Sequence, residues 1–270
     1  MYRYLESKSV LVIGGSVGMG RGVVRALARH GARIVVADID DEGGAESVAH
    51  ARDFGAEASF VHCDVADKQQ IAAAVAATVE RHGQLDAAVN NAAIEGPKIN
   101  TVEHPESEWA RVLDIDLTAV WHAMRHEIAA MLDKPTPGGY VVNVSSTAGL
   151  TGLPGRAAYN AAKHGVIGLT KTAAIEFGRA GIRVNAVAPG YMRTPMSVRI
   201  MGDRLDEIGR QASLLGRVAE IDEMGEPVAF LCSDGAAWIT GAALPVDGGF
   251  LSHGWFQRPD DSGPVLYPAE

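Results

Sequence analysis

The sequence predicts an α/β fold: a single-domain, doubly wound parallel sheet with helices on both faces. Three observations carry this. Short apolar runs rich in Val, Ile and Ala alternate with longer helical patterns along the chain. Several of those runs are continuous rather than alternating, as in strands covered on both faces. Gly31, Gly55, Gly83 and Gly181 each fall just past a helical segment, where glycine ends a helix. Strand–helix alternation with this punctuation calls for right-handed βαβ crossovers.

Taken in order, Val10–Ile13, Arg33–Ala37, Ala58–His62, Leu85–Asn90, Tyr140–Val144, Ile182–Val187 and Ala243–Val246 read as strands. Helices are expected over Gly20–His30, Gly43–Phe54, Lys68–His82, Glu106–Leu132, Ala157–Ala180 and Asp222–Leu231. Lys134 to Gly139, with two prolines and two glycines, is a surface loop. Tyr191 to Gly216 carries no clear period. One domain over residues 1–250 is expected, followed by a tail over 251–270. That tail holds Leu251, Trp255, Phe256 and Tyr267, an odd apolar set for a free end and so a candidate subunit contact.

Composition narrows the function. The chain has 270 residues, 47% of them hydrophobic, which suits one large core. A formal net charge of −9 argues against a nucleic-acid partner, and the four Trp form no stacking platform. No apolar run approaches the roughly 20 residues that cross a bilayer. Cys63 and Cys232 lack CxxC spacing, and the first residues lack an apolar leader core, so a reduced cytoplasmic protein is expected. His122 and His126 have a metal-capable spacing, but Ala123 stands where H-E-x-x-H requires Glu, and no metal is expected.

Two motifs carry chemistry. In the first, the strand Val10–Ile13 runs into a helix through Gly14-x-x-x-Gly18-x-Gly20. Small residues there let a backbone approach a pyrophosphate, and a helix N-terminus supplies free N–H groups. Asp38 ends the next strand, near the ~20-residue offset of a carboxylate that accepts from ribose hydroxyls. It repels a 2′-phosphate, which selects NAD over NADP. No Arg or Lys lies between Gly14 and Gly20, and Arg33 stands at the far end of its strand. The same turn also reads G-x-S-x-G around Ser16, the pattern of a hydrolase nucleophile. That reading lacks an earlier strand for an oxyanion hole.

The second motif is Tyr159-x-x-x-Lys163, with Ser146 upstream. Residues four apart on a helix share a face. An ammonium beside a phenol stabilises the phenolate, and such a tyrosine can exchange a proton with an alcohol or carbonyl.

These pieces, with Cys63-Asp64-Val65, Asn90-Asn91-Ala92-Ala93, Val142 to Ser146, Asn185 to Gly190 with Thr194, and Asp247-Gly248-Gly249, resemble the short-chain dehydrogenase/reductase family from about Ser7 to Phe250. The resemblance implies a Rossmann fold and an NAD-dependent interconversion of a secondary alcohol and a ketone. It implies Tyr159 as general acid/base, Ser146 rather than Ser145 on the substrate oxygen, and Lys163 on the nicotinamide ribose. It implies dinucleotide contacts from Gly14, Ser16, Gly18, Met19 and Gly20, from Asp38, Ile39, Asp64 and Val65, and from Asn91 and Ala92. Tyr159, Lys163, Pro189, Gly190, Met192 and Thr194 complete that set. Asn90 would flank the ribose and the central sheet.

One position departs from the family pattern: Asp116 stands where many members carry the Asn that anchors a proton-relay water. It keeps the catalytic place, and adds a negative charge beside Lys163. Substrate is expected against Ile94, Glu95, Ser146, Leu153, Tyr159 and Met196, with Leu150 and the apolar stretch from Met196 to Leu215 beside them. Adaptable Met and aliphatic side chains there favour a cyclic or alkyl compound over a sugar. Family likeness also implies a homotetramer, or at least a dimer, paired through Glu106–Leu132 and Ala157–Ala180. The rival from another class is a non-catalytic dinucleotide-binding protein on the same fold.

Overall fold

The computed structural model describes residues 4–252. Seven parallel strands form one sheet: β1 (Ser9–Ile13), β2 (Arg33–Asp38), β3 (Ala58–His62), β4 (Ala87–Asn90), β5 (Gly139–Val144), β6 (Ile182–Pro189) and β7 (Ala243–Val246). Their order is β3-β2-β1-β4-β5-β6-β7. Val12 pairs with Val36 on one side and with Val89 on the other, so β1 lies inside the sheet, next to the middle strand β4. The chain winds outward from β1 in one direction and from β4 in the other. Their carboxyl ends therefore flank the crevice where open α/β sheets bind ligands.

Both faces of the sheet are covered. On one side α1 (Gly18–Arg29), α2 (Asp41–Asp53) and α9 (Ile221–Leu231) pack over Val10, Val12, Val36 and Val89. On the other, α3 (Lys68–His82), α5 (Ala119–Leu132) and α6 (Ala157–Phe177) bury Leu11, Val35, Ala88 and Val141. Alternate residues of β1 thus serve opposite cores, which is why its apolar run is unbroken. α1 and α9 cross at two glycines. A Cβ on Gly22 would lie 2.2 Å from the Ile221 carbonyl oxygen, and one on Gly225 would lie 2.3 Å from that of Gly22.

Three sequence expectations change. The helix expected over Glu106–Leu132 is α4 (Glu106–Leu113) and α5 joined by a π-helical turn, Asp114–Thr118. That wider turn contains Asp116. The stretch without a period holds two short helices, α7 (Pro195–Met201) and α8 (Arg204–Ala212). Thr194 and Ser197 start α7 with a reciprocal cap, and Pro195 takes the first helical position. Leu85 and Asp86 precede β4 rather than opening it, although the Asp86 carbonyl still accepts from Tyr140 N–H. Of the tail, Leu251 sits in a short 3-10 turn, Phe250–Ser252; Trp255, Phe256 and Tyr267 lie outside the described residues.

A polar network ties the two central strands to the helices beneath them. Asn90 Nδ2 donates to Glu127 Oε2 and to Asn143 Oδ1, each at 3.0 Å; Asn143 Nδ2 donates to Thr170 Oγ1 at 3.0 Å. All four side chains are buried. Burial pushes the Glu127 carboxyl up to about 8, and the Asn90 amide holds part of that back. Folded chain therefore keeps this proton where unfolded chain has lost it. Its share of stability is complete below the ordinary glutamate range and is lost as pH rises toward about 8. Glu127→Gln should consequently raise the Tm at pH 8 relative to wild type by more than at pH 5. A difference that does not change with pH would contradict a neutral Glu127.

Candidate active site

The glycine-rich turn leaves β1 at Gly14, whose φ of +83° suits glycine. A Cβ there would lie 2.4 Å from the Ala92 amide nitrogen, and one on Gly20 would lie 1.9 Å from the Gly14 carbonyl oxygen. The turn is thus pressed between β4 and the start of α1. Asn91 holds it from below, donating from Nδ2 to the Gly14 carbonyl at 2.6 Å. α1 begins with no side-chain cap and no acid in its first turn, and its N-cap, Val17, is exposed. A helix start without its own acceptors is a donor set suited to a pyrophosphate. Thr194 reaches this place from the other half of the sheet: a Cβ on Gly18 would meet Thr194 at 3.4 Å. Met192 pairs with Ala219 just before it.

Asp38 ends β2 beside the turn. Its Oδ2 accepts from Ser16 N–H at 2.9 Å and its Oδ1 from Asp40 N–H at 3.1 Å. Ile39 next to it is 60% exposed. Asp64 and Val65 follow β3 on the same edge, partly buried. Burial pushes the neighbouring Cys63 thiol up to about 11, so it is packed rather than reactive. These residues fit a dinucleotide: uncapped helix donors for phosphate, a carboxylate at the end of β2 for ribose, and the partly buried Asp64 and Val65 after β3 for adenine.

Ser16 is oriented inward. It is fully buried, and its Oγ donates to the Asp40 carbonyl at 3.0 Å. This geometry leaves no exposed nucleophile and removes the hydrolase reading of the turn. Arg21, just past the last glycine, was not legible as part of the turn. It donates to the Ser16 carbonyl from Nε at 2.9 Å and from Nη2 at 2.7 Å, and pairs with Glu46 at 2.7 Å.

At the other side of the crevice, Tyr159 and Lys163 lie one turn apart on α6. The Lys163 ammonium sits 5.4 Å from the Tyr159 ring centroid and donates to the Val144 carbonyl at 3.3 Å. Ser146 follows β5 and caps a 3-10 turn, Thr147–Gly149, that packs on α6. Its Oγ accepts from Ala148 N–H at 3.1 Å, which leaves the hydroxyl proton for another acceptor. Ser145 is spent on the scaffold, donating from Oγ to the Lys163 carbonyl at 2.9 Å.

Asp116 completes this cluster from the π-helical turn. It is fully buried and lies 3.4 Å from Lys163 Nζ; its Oδ1 accepts from Ile94 N–H at 2.8 Å. Burial pushes its carboxyl above the ordinary aspartate range, while Lys163 and the Ile94 amide hold part of that back. Ile94 is thereby fixed beside the lysine. Glu95, next in the loop, pairs with Arg156 at 2.8 Å. Leu153 and Met196 are partly buried, and Leu150 is exposed. Pro189 closes β6, and Gly190 lies so near Asp247 that a Cβ would come within 2.8 Å of its Cα.

A phenol and an ammonium one turn apart on α6, a hydroxyl with its proton free at the end of β5 and a phosphate-ready turn across the crevice are the parts of an oxidoreductase that works on an oxygen-bearing carbon with a dinucleotide. Comparison with known proteins gives the same class. The family model described as enoyl-(acyl carrier protein) reductase matches residues 14–251. The chain is 39% identical to a 2,5-dichloro-2,5-cyclohexadiene-1,4-diol dehydrogenase of Sphingobium indicum, over 92% of this chain and 98% of that one. It is 43% identical to a trans-4-hydroxycyclohexanecarboxylate dehydrogenase of Sinomonas cyclohexanicum, over 91% and 93%.

Among solved structures, carveol dehydrogenase from Mycobacterium avium in complex with NAD superposes with a TM-score of 0.88. It is 30% identical, over 93% of this chain and 99% of that one. Actinorhodin polyketide ketoreductase with NADPH superposes with a TM-score of 0.84 at 37% identity, over 92% and 98%. The chain belongs to the short-chain dehydrogenase/reductase family, and it is an enzyme of alcohol–ketone oxidoreduction.

Among the described residues no helix is long and apolar enough to cross a membrane, and no group of three His, Cys, Asp or Glu could hold a metal ion.

Proposed function

We propose that this enzyme oxidises a ring-borne secondary alcohol with NAD, in the cytoplasm, as a homotetramer. The placing of Tyr159, Lys163 and Ser146 on one side of the crevice, opposite the uncapped start of α1, carries the reaction. Tyr159 takes the alcohol proton as phenolate, Ser146 donates its hydroxyl proton to the substrate oxygen, and Lys163 holds positive charge beside the phenol. The nicotinamide of a bound dinucleotide supplies the hydride acceptor. Gly14, Gly18, Met19, Gly20, Met192 and Thr194 would seat its phosphates, Asp38 and Ile39 its adenine ribose, and Asp64 and Val65 its adenine. Asn91 and Ala92 shape the floor, and Pro189 and Gly190 the turn under the ring. Ser16 would contribute through the turn it holds.

The substrate class rests on the relatives, whose names specify alcohols on a six-membered carbon ring, and on the apolar character of Ile94, Leu153 and Met196, the residues we assign to the substrate. Assay with NAD and cyclohexanol or a methylcyclohexanol tests it: NADH should appear. A panel of cyclic alcohols that gives none, while open-chain alcohols turn over, would overturn it.

For the cofactor, the Asp38 carboxylate at the end of β2 would bond ribose hydroxyls and repel a 2′-phosphate. Arg21 offers little counter-charge, because its Nε and Nη2 are held by the Ser16 carbonyl and its charge is paired with Glu46. The ratio of kcat/KM with NAD to that with NADP should therefore exceed one, and Asp38→Asn should shrink it. Equal values in the wild type would refute the preference.

For assembly, α4, α5 and α6 expose Trp109 and Trp121, together with Ile175 at 83%. Such side chains on long helices suit a two-fold interface between copies. Sedimentation at micromolar concentration checks this: a fully active 28.4 kDa species would rule it out.

A further inference from the structure

The loop after β4 is clamped by a charge pair to the start of α6, the helix that carries Tyr159 and Lys163. Arg156 is the N-cap of α6, three residues before Tyr159, and Asn160 N–H donates to its carbonyl at 2.8 Å. Its Nη2 donates to Glu95 Oε2 at 2.8 Å, and its Nη1 to the Gly96 carbonyl at 3.0 Å and the Glu95 carbonyl at 3.4 Å. Ile99 and Arg156 also form a parallel bridge, with Ile99 N–H donating to the Gly155 carbonyl at 3.0 Å. Glu95 itself follows Ile94, which Asp116 fixes beside Lys163. The Arg156 guanidinium, whose residue precedes Tyr159 by three positions, is therefore already neutralised by a carboxylate from the same chain. The other cation of the loop, Lys98, is exposed, where solvent and salt screen it.

We infer that the Glu95–Arg156 pair sets the charge of the substrate: the pocket takes an uncharged ring and disfavours one that bears a carboxylate. This deepens the proposed function and rests on its placing of the substrate between Ile94 and Tyr159. A carboxylate brought to Arg156 must compete with Glu95 for the same donors, and it meets a second negative charge at close range. Like charges set side by side are a device by which binding sites reject a partner. The chain's relatives include dehydrogenases named for a carboxylated ring alcohol and for cyclohexanol, so the charge of the ring substituent is a property that differs among them.

Calorimetry on the full chain with NAD present tests this without turnover. The probes are cyclohexanecarboxamide and cyclohexanecarboxylate, which have nearly the same shape and differ in charge. Wild type should bind the amide at least about fivefold more tightly than the acid, the scale of a partly exposed charge pair. Glu95→Gln, which frees Arg156 of its counter-charge, should shift the ratio toward the acid by a similar factor. Adding Arg156→Gln to that variant should erase the gain.

The inference is overturned if wild type prefers the acid, if Glu95→Gln leaves the ratio unchanged, if the double variant keeps the gain, or if neither probe binds either protein. Oxidation of cyclohexanol by the wild type is scored separately. Turnover of the alcohol with an unchanged binding ratio in Glu95→Gln would retain the proposed function and reject the charge selection. Selection by charge without any turnover would do the reverse.

Discussion

Replacing Tyr159 by phenylalanine is expected to lower kcat by at least about 10³-fold, within the span that general acid–base groups contribute. The ring stays, so its contact with the Lys163 ammonium, 5.4 Å from the centroid, survives in shape. Only the proton-carrying oxygen is lost. Ser146 cannot replace it, because its Oγ is oriented by the Ala148 N–H and no base is bonded to it among the described residues. Dinucleotide affinity, measured by fluorescence or calorimetry, should remain close to wild type, since the glycine-rich turn and Asp38 are untouched. More than a tenth of normal turnover in the variant would remove Tyr159 from the proton-transfer step.

Asp116→Ala should produce the largest loss of stability, on the order of 3–5 kcal/mol, because it strands one partner of a buried charge pair. Lys163 is 2% exposed and Asp116 fully buried, so water cannot replace the lost carboxylate. The Ile94 N–H would lose its acceptor at the same stroke, which loosens the loop that carries Glu95. Asp116→Asn keeps an acceptor for Ile94 but not the charge, and it should recover the part of that stability which the Ile94 bond carries. Chemical denaturation of the three proteins measures this. An alanine variant as stable as wild type would show that the pair contributes nothing to folding. An asparagine variant as unstable as alanine would show that the charge itself, rather than the hydrogen bond to Ile94, does the holding.

Asp116 also shows why one part of the site could be named from sequence and another could not. Its position in the chain marked it as a departure from the family pattern. The aspartate's partners, Lys163 on α6 and the Ile94 amide in a loop, come together only because the helix widens into a π turn at Asp114–Thr118. The Asp114 to Thr118 run holds only one strong helix former, Leu117, but weak propensity does not by itself specify a π turn. The same holds for α7 and α8: their short amphipathic pieces are too brief to show a period, and α7 depends on a cap by Thr194 and Ser197.

What the sequence determined by itself is what short-range physics controls. Continuous Val and Ile runs set the parallel strands, glycines ended the helices, and four-residue spacing placed Tyr159 and Lys163 on one face of α6. Only the tertiary structure decided the pairings between distant segments. Asn90 meets Glu127 and Asn143 under the sheet, Arg156 at the start of α6 meets Glu95 in the loop after β4, and Ser16 turns its hydroxyl into the protein rather than toward a ligand. The reason is physical. A charge or amide carries no period along the chain, and its partner is set by how helices pack on the sheet. Burial then makes each such pairing obligatory, because an unpaired polar group in the core costs more than the contact itself returns.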